Sequence, residues 1–460
     1  MLKKRYLKDL QKIVGEENIY DDKAHSLAYS YDATREHYEP DAVIFPRSED
    51  DVSQILKYCN KHKIIITPRG AGSGFTGGAL PKNGGIILAF EKHMNKILEI
   101  DLENMLAIVE PGVVNMDLQK AVEAKGLFYP PDPASEQYST IGGNVSENAG
   151  GMRAAKYGIT KDFVMALRAV RANGDIIRAG KKTIKDVAGY NIAGILTASE
   201  GTLAVITQIT LKLLPKPKFA SSYMAVFKSV DDAMNAVFKS LASGANPVAM
   251  EFLDSLSVAA VKKKLGISLP ENAGALLIGD VDGNVKEEIE FQLGTLKSSF
   301  KENGCVDFEV AKEKEQREKL WYARRNVSQC VTVYGSKKLN EDISVPRSKL
   351  PVALKEIYKI GEKYGFSVPC FGHAGDGNIH VNVMVDGSNE EELHKGHQAI
   401  EEIFELVVDM GGTLSGEHGI GLSKAPFMDI AFSKEERQLF LDIKKAFDPN
   451  NILNPGKMGL

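Results

Sequence analysis

Three features are scarce or absent in this sequence, and each absence excludes a class of protein. The four cysteines, Cys59, Cys305, Cys330 and Cys370, form no C-x-x-C pair, so the chain encodes no iron–sulfur or structural zinc framework. The formal net charge is −4 and no basic block occurs, which argues against a nucleic-acid-binding protein. No run of about 18 apolar residues occurs, so no membrane span is predicted.

The first 20 residues are charged from the start and contain no apolar signal core. Their apolar positions recur at helical spacing, which predicts a packed surface helix. Acidic residues at 9, 16 and 17 argue against a targeting peptide, so we expect a cytoplasmic protein. The helical stripe consists of Leu2, Leu7, Leu10, Ile13 and Val14.

A chain of 460 residues is long enough for two or three domains. Short apolar strands alternate with amphipathic helices, which predicts an α+β fold. The pattern of predicted strands and helices changes at "PKPK", residues 215–218, and their alternation is more regular after it. We therefore place a domain boundary after residue 217, with a sheet covered on one side by helices beyond it.

The stretch "RGAGSGFTGG" contains a formal G-x-G-x-x-G match at residues 72–77. A Rossmann dinucleotide site needs a helix directly after these glycines, but Pro81, Gly84 and Gly85 follow and then a strand. We therefore reject the Rossmann interpretation. Glycines also let successive backbone amides point into one concavity, which binds phosphate without a helix. The alternative is a mobile surface loop.

Residues 129–158 hold three prolines, five glycines and many small polar residues. This composition predicts neither helix nor strand, and the segment is too long for an ordinary loop. We interpret it as backbone that wraps around a large, flat ligand with polar edges.

Two histidines, His373 and His380, flank the turn sequence "AGDGN" and lie on two predicted strands. A hairpin would bring them together, although such histidines are often only hydrogen-bonded residues. A third element, "SGEHGIG", adds Glu417 beside His418. Two imidazoles and a carboxylate suit zinc, manganese or iron, but the sequence does not show that the three residues converge.

Five separated motifs give the sequence a resemblance to a known family. They are "PRGAGSGFTGG", "PPDPASEQYSTIGGNVSENAGG", "KYG", "EGTLAVIT" and "DPNNILNPGK". From about residue 38 to the end, the chain resembles the FAD-binding oxidoreductases of the vanillyl-alcohol oxidase and p-cresol methylhydroxylase type. Within that family it is most similar to the D-lactate dehydrogenase and glycolate oxidase catalytic subunits.

The resemblance implies a two-subdomain FAD-binding fold plus an α+β cap domain with an antiparallel sheet covered by helices. On this basis residues 1–217 form the FAD-binding domain, 218–412 the cap, and 413–460 a segment that returns to the FAD domain. No histidine occurs in "RGAGSGFTGG", so we expect non-covalent FAD. The implied cofactor-binding residues are Arg69, Gly70, Ala71, Gly72, Ser73, Gly74, Thr76, Gly77, Gly78, Pro131, Asp132, Ser139, Thr140, Gly142, Gly143, Asn144, Ser146, Asn148, Gly150, Gly151, Gly201, Ile206 and Asn454.

The resemblance also assigns a substrate site. His373, His380 and Glu417 would hold a divalent metal beside the flavin, and His418 would be the catalytic base. Asn382 would contact the substrate, and Arg324 in "WYARRN" would clamp its carboxylate, with Arg325 as the neighbour it could be confused with. Some relatives carry a lysine where this chain has Asn340, which favours a small monocarboxylate over a diacid.

The expected function is FAD-dependent oxidation of a small D-2-hydroxy acid, of the D-lactate or glycolate type, to the 2-oxo acid. Hydride would pass to flavin N5, and electrons would leave to a partner such as an electron-transferring flavoprotein or an iron–sulfur subunit. Three alternatives stay open: a D-2-hydroxyglutarate-type dehydrogenase, a non-catalytic electron-carrying flavoprotein subunit, and a metal-dependent hydrolase with a phosphate-binding loop.

Overall fold

The structure, a computed structural model, describes residues 2–311 and 313–460. The chain divides into two compact units. Unit 1 comprises Met1–Gly151, Gly158–Lys216 and Glu417–Leu460, and unit 2 comprises Met152–Tyr157 and Pro217–Gly416. The chain therefore leaves unit 1 twice and returns to it twice.

The strands follow one another along the chain as β1 (Ile19–Tyr20), β2 (Ala42–Ile44), β3 (Ile66–Arg69), β4 (Ile86–Ala89), β5 (Ile97–Asp101), β6 (Leu106–Val109), β7 (Leu127–Phe128), β8 (Val164–Arg171), β9 (Ile176–Gly180), β10 (Ala204–Lys212), β11 (Leu214–Pro215), β12 (Phe219–Phe227), β13 (Ala249–Leu253), β14 (Ala275–Gly283), β15 (Cys305–Ala311), β16 (Lys337–Ser344), β17 (Cys370–His373) and β18 (Asn378–Val385).

The α-helices are α1 (Lys4–Val14), α2 (Lys23–Ala28), α3 (Glu49–His62), α4 (Asn115–Glu123), α5 (Ile141–Glu147), α6 (Ala154–Tyr157), α7 (Ile192–Leu196), α8 (Val230–Ala242), α9 (Ser255–Leu265), α10 (Lys286–Glu302), α11 (Lys314–Cys330), α12 (Leu350–Tyr364), α13 (Glu390–Asp409), α14 (Met428–Ala431) and α15 (Lys434–Phe447). Across the parts of the chain that the structure describes, none of them combines the length and the apolar character that a bilayer crossing requires.

The first sheet of unit 1 has the order β1-β2-β4-β3; β4 pairs in parallel with β2 and with β3, and β1 pairs antiparallel with β2. Residues of β2 and β4 are buried throughout, as expected for parallel strands covered on both faces. The predicted N-terminal helix is confirmed: Leu7, Leu10 and Val14 of α1 join the core that holds Ile55 and Leu56 of α3.

The second sheet of unit 1 is antiparallel, with the order β5-β6-β10-β8-β9. Its β8 and β9 form a hairpin whose turn contains Asn173 and Gly174; Gly174 has φ +89°, where glycine carries no steric penalty. The long β10 is followed directly by the short β11, which pairs with β7.

The prediction that residues 129–158 lack helix is wrong for part of the segment, because α5 covers Ile141–Glu147. Thr140 begins this helix, and its Oγ1 accepts a hydrogen bond from the Gly143 amide at 3.3 Å. The two glycines of the first turn lower the helix propensity of this segment, but close packing against a neighbouring segment requires glycine there. A Cβ on Gly142 would lie 2.6 Å from the Cβ of Pro111.

Unit 2 is built on a seven-stranded sheet with the order β15-β12-β14-β13-β17-β18-β16, and every pairing in it is antiparallel. The predicted alternation of strands and helices is confirmed for β12, α8, β13, β14, α10 and β15. The sequence analysis did not identify α9, α11 and α13. Both units thus mix helices with sheets, in agreement with the α+β class.

The chain passes from unit 1 to unit 2 after Lys216 and back to unit 1 after Gly416. The sequence analysis placed these boundaries after residues 217 and 412. The six residues 152–157 also belong to unit 2, although they lie in the middle of the sequence of unit 1. Lys156 accounts for this placement, since its Nζ bonds to Asp282 Oδ1 at 2.6 Å and to the Asp282 carbonyl at 3.0 Å.

Candidate active site

The glycine-rich loop between β3 and β4 contains no helix, which agrees with the rejection of a Rossmann site. Its backbone passes unusually close to the start of α5, because a Cβ on Gly70 would lie 2.3 Å from Thr140 Oγ1. Gly72 and Gly77 have φ of +65° and +81°, a backbone conformation that residues with a side chain rarely adopt. The result is a concave strip of backbone.

Arg69 ends β3 and stands at the start of this loop. Its guanidinium donates to the Tyr31 carbonyl at 2.8 Å and to the Ala79 carbonyl at 3.3 Å. The side chain is buried, and this burial lowers the pKa of Arg69 from its ordinary value. These bonds tie Arg69 to the loop at Ala79 and to the chain at Tyr31, and they leave a positive charge beside the loop.

Loop and helix together enclose a groove in unit 1 with an empty volume of about 1210 Å³, part of it open to solvent. Most of the residues predicted to bind FAD line it, and so do Glu417 and His418. The predicted residues in the lining are Arg69, Gly70, Ala71, Gly72, Ser73, Gly74, Gly78, Ser139, Thr140, Gly142, Gly143, Asn144, Ser146, Gly150, Gly201 and Ile206.

The groove fits a dinucleotide in both its shape and its chemistry. Its walls are largely glycine and small polar residues, so backbone amides are accessible to a ligand. Ser139 Oγ is buried without a hydrogen-bond partner, and such a group is expected to be satisfied by a ligand or a water molecule.

The other predicted cofactor residues lie behind the walls and brace them. The Pro131 carbonyl accepts hydrogen bonds from Asn115 and Gln119 at 3.1 and 2.9 Å. Asn454 Nδ2 donates to the carbonyls of Gly78 and Glu200 at 2.9 and 2.7 Å. The remaining members of this bracing group are Thr76, Gly77, Asp132, Asn148 and Gly151.

Glu417 and His418 belong to the groove lining, and the glycine loop holds the segment 417–423 that carries them. Thr76 Oγ1 donates to the His418 carbonyl at 3.2 Å, and the Thr76 carbonyl accepts from Leu422 at 2.7 Å. The rings of Phe75 and His418 lie 5.3 Å apart, tilted by 33°. The backbone around His418 is therefore fixed.

Two glutamates that the sequence analysis did not single out also line the groove. Glu200 accepts hydrogen bonds from the amides of Ile420 and Gly421 at 2.7 and 2.8 Å. Burial raises the pKa of Glu147 well above its ordinary value, and the nearby Glu200 adds to the effect. Glu147 was detectable as a charged residue inside the otherwise small and neutral "GGNVSENAGG".

In unit 2, β17 and β18 form the hairpin predicted for His373 and His380. Phe371 pairs with His380 and His373 pairs with Asn378, so the two histidines are diagonal neighbours on one face of the sheet. Their ring centroids lie 5.3 Å apart, and each offers a ring nitrogen within 4.8 Å of the other's. Both histidines are buried, and their nitrogens are close enough to bind one ion together.

Glu251 of β13 connects this pair to Arg324 of α11. Its Oε1 lies 2.6 Å from His373 Nδ1, and its Oε2 accepts from Arg324 Nε at 2.8 Å. The carboxylate at Nδ1 fixes the orientation of the His373 ring. The sequence analysis missed Glu251, whose register opposite His373 only the sheet reveals.

The structure separates the two adjacent arginines. Arg324 points toward the sheet, with its side chain 13% exposed, and its guanidinium carbon lies 5.2 Å from the centre of the Phe371 ring. Arg325 is exposed and donates to the Glu318 carbonyl on its own helix. Glu251 uses one edge of the Arg324 fork, which leaves the Nη1 side for a second carboxylate.

Asn382 is fully buried on the same strand as His380. Its Nδ2 donates to the carbonyls of Pro369 and His380 at 2.9 and 3.0 Å, and its Oδ1 accepts from Asn340 at 2.8 Å. Both amide protons are thus used, so a substrate contact by Asn382 would have to go through Oδ1.

The last residues of unit 2 are tied to the same sheet face. Asp342, which pairs with His380 across β16 and β18, accepts from Ser415 Oγ at 2.8 Å and from the Gly416 amide at 2.9 Å. Glu417 follows Gly416 directly in the sequence.

Two family models match the chain, one before and one from the boundary near residue 216. Residues 40–180 match the FAD binding domain, and residues 216–458 match the C-terminal domain of the FAD linked oxidases. The chain belongs to this family of FAD-binding oxidoreductases, as the sequence motifs predicted.

Curated relatives cover the full chain. It is 43% identical over 459 residues to the glycolate oxidase subunit GlcD of Bacillus subtilis, covering 100% of this chain and 97% of that protein. It is 34% identical to a D-lactate dehydrogenase of Anaerostipes hadrus, with coverages of 97% and 94%. It is 32% identical to a D-2-hydroxyglutarate dehydrogenase of Stutzerimonas stutzeri, with coverages of 98% and 98%.

Solved structures share the fold at lower identity. The structure of p-cresol methylhydroxylase with substrate bound matches with a TM-score of 0.82 and 20% identity, covering 99% of this chain and 96% of that one. The 4-ethylphenol oxidase of Gulosibacter chungangensis matches with a TM-score of 0.78 and 20% identity, with coverages of 99% and 97%. The predicted fold class is confirmed.

Proposed function

We propose that this protein oxidises a small D-2-hydroxy acid, of the glycolate or D-lactate type, to the corresponding 2-oxo acid. The observation that carries the proposal is the buried connection from Arg324 through Glu251 to His373 in unit 2. It joins a carboxylate-binding cation to an imidazole suited to a metal. A hydroxy acid presents a carboxylate and a hydroxyl on adjacent carbons, which is the pair of groups that such an arrangement recognises.

FAD, bound without a covalent link in the groove of unit 1, would accept the hydride at N5 when the hydroxyl carbon is oxidised. The residues that would hold it are those of the glycine loop and of α5, where backbone amides meet the groove. His418 lines the same groove and would take the hydroxyl proton on a ring nitrogen.

A divalent metal, of the zinc, manganese or iron class, would be held by His373, His380 and Glu417. The donor set of two imidazoles and a carboxylate fits all three ions. The buried histidine pair and the carboxylate partner on His373 Nδ1 support this assignment. The ion would polarise the substrate hydroxyl, which eases removal of its proton.

Substrate binding rests on Arg324, whose free guanidinium edge would pair with the carboxylate. Asn382 would stand beside the substrate with its orientation fixed by Asn340. Because Asn340 carries no charge, the site offers no cation there for the far carboxylate of a diacid. This favours a monocarboxylate over 2-hydroxyglutarate, which remains the second candidate because one relative is named for it.

Reduced flavin would pass its electrons to a partner protein, such as an electron-transferring flavoprotein or an iron–sulfur subunit. The four cysteines are free in the described part of the chain and lie far apart in sequence, an arrangement that does not suit an iron–sulfur cluster. Reoxidation that is slow with oxygen and fast with such an acceptor would support this assignment. Fast reoxidation by oxygen alone would make the protein an oxidase.

An anaerobic panel of 2-hydroxy acids tests the proposal. The FAD-loaded protein is mixed with glycolate, each enantiomer of lactate and each enantiomer of 2-hydroxyglutarate, and the loss of oxidised-flavin absorbance is followed. Glycolate and D-lactate should bleach the flavin fastest. If none of these acids bleaches it, the proposed substrate class is wrong.

A further inference from the structure

The carboxyl group of Glu147 lies at the FAD groove without any hydrogen bond. Its side chain is part of the groove lining, and its Oε2 is buried with no partner. An unpaired buried carboxyl oxygen costs less free energy when the group is neutral, and the place of Glu147 in the groove lining puts its proton where a ligand can accept it. Neither the sequence motifs nor the family comparison assigned this residue a role.

Close backbone on two sides holds the carboxyl in place. A Cβ on Gly78 would lie 2.4 Å from Glu147 Oε1, and a Cβ on Gly419 would lie 2.2 Å from Oε2. The carboxyl therefore sits between the glycine loop and the segment that carries His418. Both neighbours are glycines, so no side chain there competes for its oxygens.

The charge around Glu147 makes its ionised form unfavourable. Burial raises the pKa of Glu147 most, and the neighbouring Glu200 and Asp32 raise it further. The buried Lys457 is the opposing cation, but its Nζ donates to the Leu80 carbonyl at 2.6 Å. Burial lowers the pKa of Lys457 to about 8, which weakens it as a counter-ion.

Glu200 differs from Glu147 in one decisive respect, although burial raises the pKa of both. Two backbone amides donate to Glu200, and such bonds favour a carboxylate. Glu147 has no donor to stabilise its charge. When two carboxyl groups share a buried region, the one without donors keeps the proton.

We propose that Glu147 is protonated in the FAD-loaded protein and donates its carboxyl hydrogen bond to the cofactor, while Glu200 remains ionised and holds the segment after His418. Glu147 is then a cofactor-binding residue whose neutral form is required, since the FAD pyrophosphate is itself negative. This inference depends on the FAD site and not on the identity of the hydroxy acid.

The test compares Glu147→Gln and Glu147→Ala with the wild type, and Glu103→Gln, on an exposed turn of unit 1, is the matched control. FAD affinity is measured by the fluorescence of flavin released on dilution, together with the absorbance spectrum of bound flavin. Glutamine keeps a neutral donor, so its Kd for FAD should stay within about threefold. Alanine removes the donor, so its Kd should rise about tenfold.

Two results would overturn the proposal. FAD binding by Glu147→Gln that is tighter than wild-type binding by well over threefold would mean that the native group is charged. An alanine variant with unchanged Kd and unchanged flavin spectrum would mean that Glu147 only packs. If the alanine variant does not fold, infrared spectra of the wild type and Glu147→Gln decide, because only a protonated glutamate gives a carboxylic-acid band that this substitution removes.

Discussion

The FAD groove of unit 1 and the polar sheet face of unit 2 are built by opposite means. In the groove, glycines bring backbone amides to the surface, and several positions have no room for a Cβ. On the sheet face, the proposed chemistry depends on side chains: strand register places Glu251 beside His373, and Arg324 of α11 bonds to Glu251. We therefore expect the groove to be sensitive to added side-chain atoms and the sheet face to be sensitive to the loss of side chains.

This difference predicts how each region fails. In unit 1, a single added methyl group should displace the wall of the groove and weaken FAD binding. In unit 2, loss of a side chain should leave the sheet folded and FAD bound, but remove the groups that handle the substrate. Substitutions in the two units should therefore separate cofactor binding from cofactor reduction.

The largest effect is expected for His380→Ala. Loss of one imidazole removes the metal, and the polarising effect of such an ion is worth several kcal/mol, so flavin reduction by glycolate should slow about a thousandfold or more. Anaerobic stopped-flow absorbance and metal content are measured on the same sample. His394→Ala, at an exposed position of α13, is the control and should react normally. Normal reduction by His380→Ala would remove the metal from the mechanism.

Gly142→Ala should weaken FAD binding about a hundredfold. The new Cβ would lie 2.6 Å from the Pro111 Cβ and 2.9 Å from the Pro111 carbonyl oxygen, so α5 must move. Gly294→Ala is the control, because a Cβ there meets no atom within 4 Å on α10 of unit 2. Retention of FAD by Gly142→Ala on gel filtration and dilution would show that the groove adapts.

Glu251→Gln should lower metal affinity about 10- to 100-fold, since the amide no longer holds His373 Nδ1 as a carboxylate does. The same change frees one edge of the Arg324 fork, so KM for the hydroxy acid should change as well. Metal affinity is read by competition with a chelating dye. An unaltered metal affinity would leave Glu251 as a packing residue.

The smallest of these effects is expected for Arg324→Lys, for which KM should rise about tenfold while kcat changes less. An ammonium group cannot reproduce the two-point contact of a guanidinium with a carboxylate. Arg325→Lys is the matched control, because that side chain is exposed and points away from the sheet. Equal effects of the two substitutions would contradict the assignment of Arg324 as the clamp.

The sequence was informative in different ways for the two regions. Glycine-rich motifs identified the groove, because few other residues allow such close backbone approach. They did not show that Asn148 and Asn454 lie behind the wall of the groove. They also did not predict α5 within residues 129–158, because packing against Pro111 overrides the low helix propensity there.

On the sheet face, the hairpin of His373 and His380 was predictable from its turn residues. Glu251 was not, because it lies 122 residues from His373 and only strand order makes them neighbours. Asp342 was missed for the same reason, since its contacts to Ser415 and Gly416 come from a chain segment distant in sequence.

The most direct test is anaerobic reduction of the flavin in metal-stripped protein that retains its FAD. Our account predicts that glycolate or D-lactate leaves the oxidised-flavin absorbance unchanged, and that adding back zinc, manganese or iron(II) restores bleaching in the wild type but not in His380→Ala. Bleaching at the full rate in the metal-free sample would contradict the account.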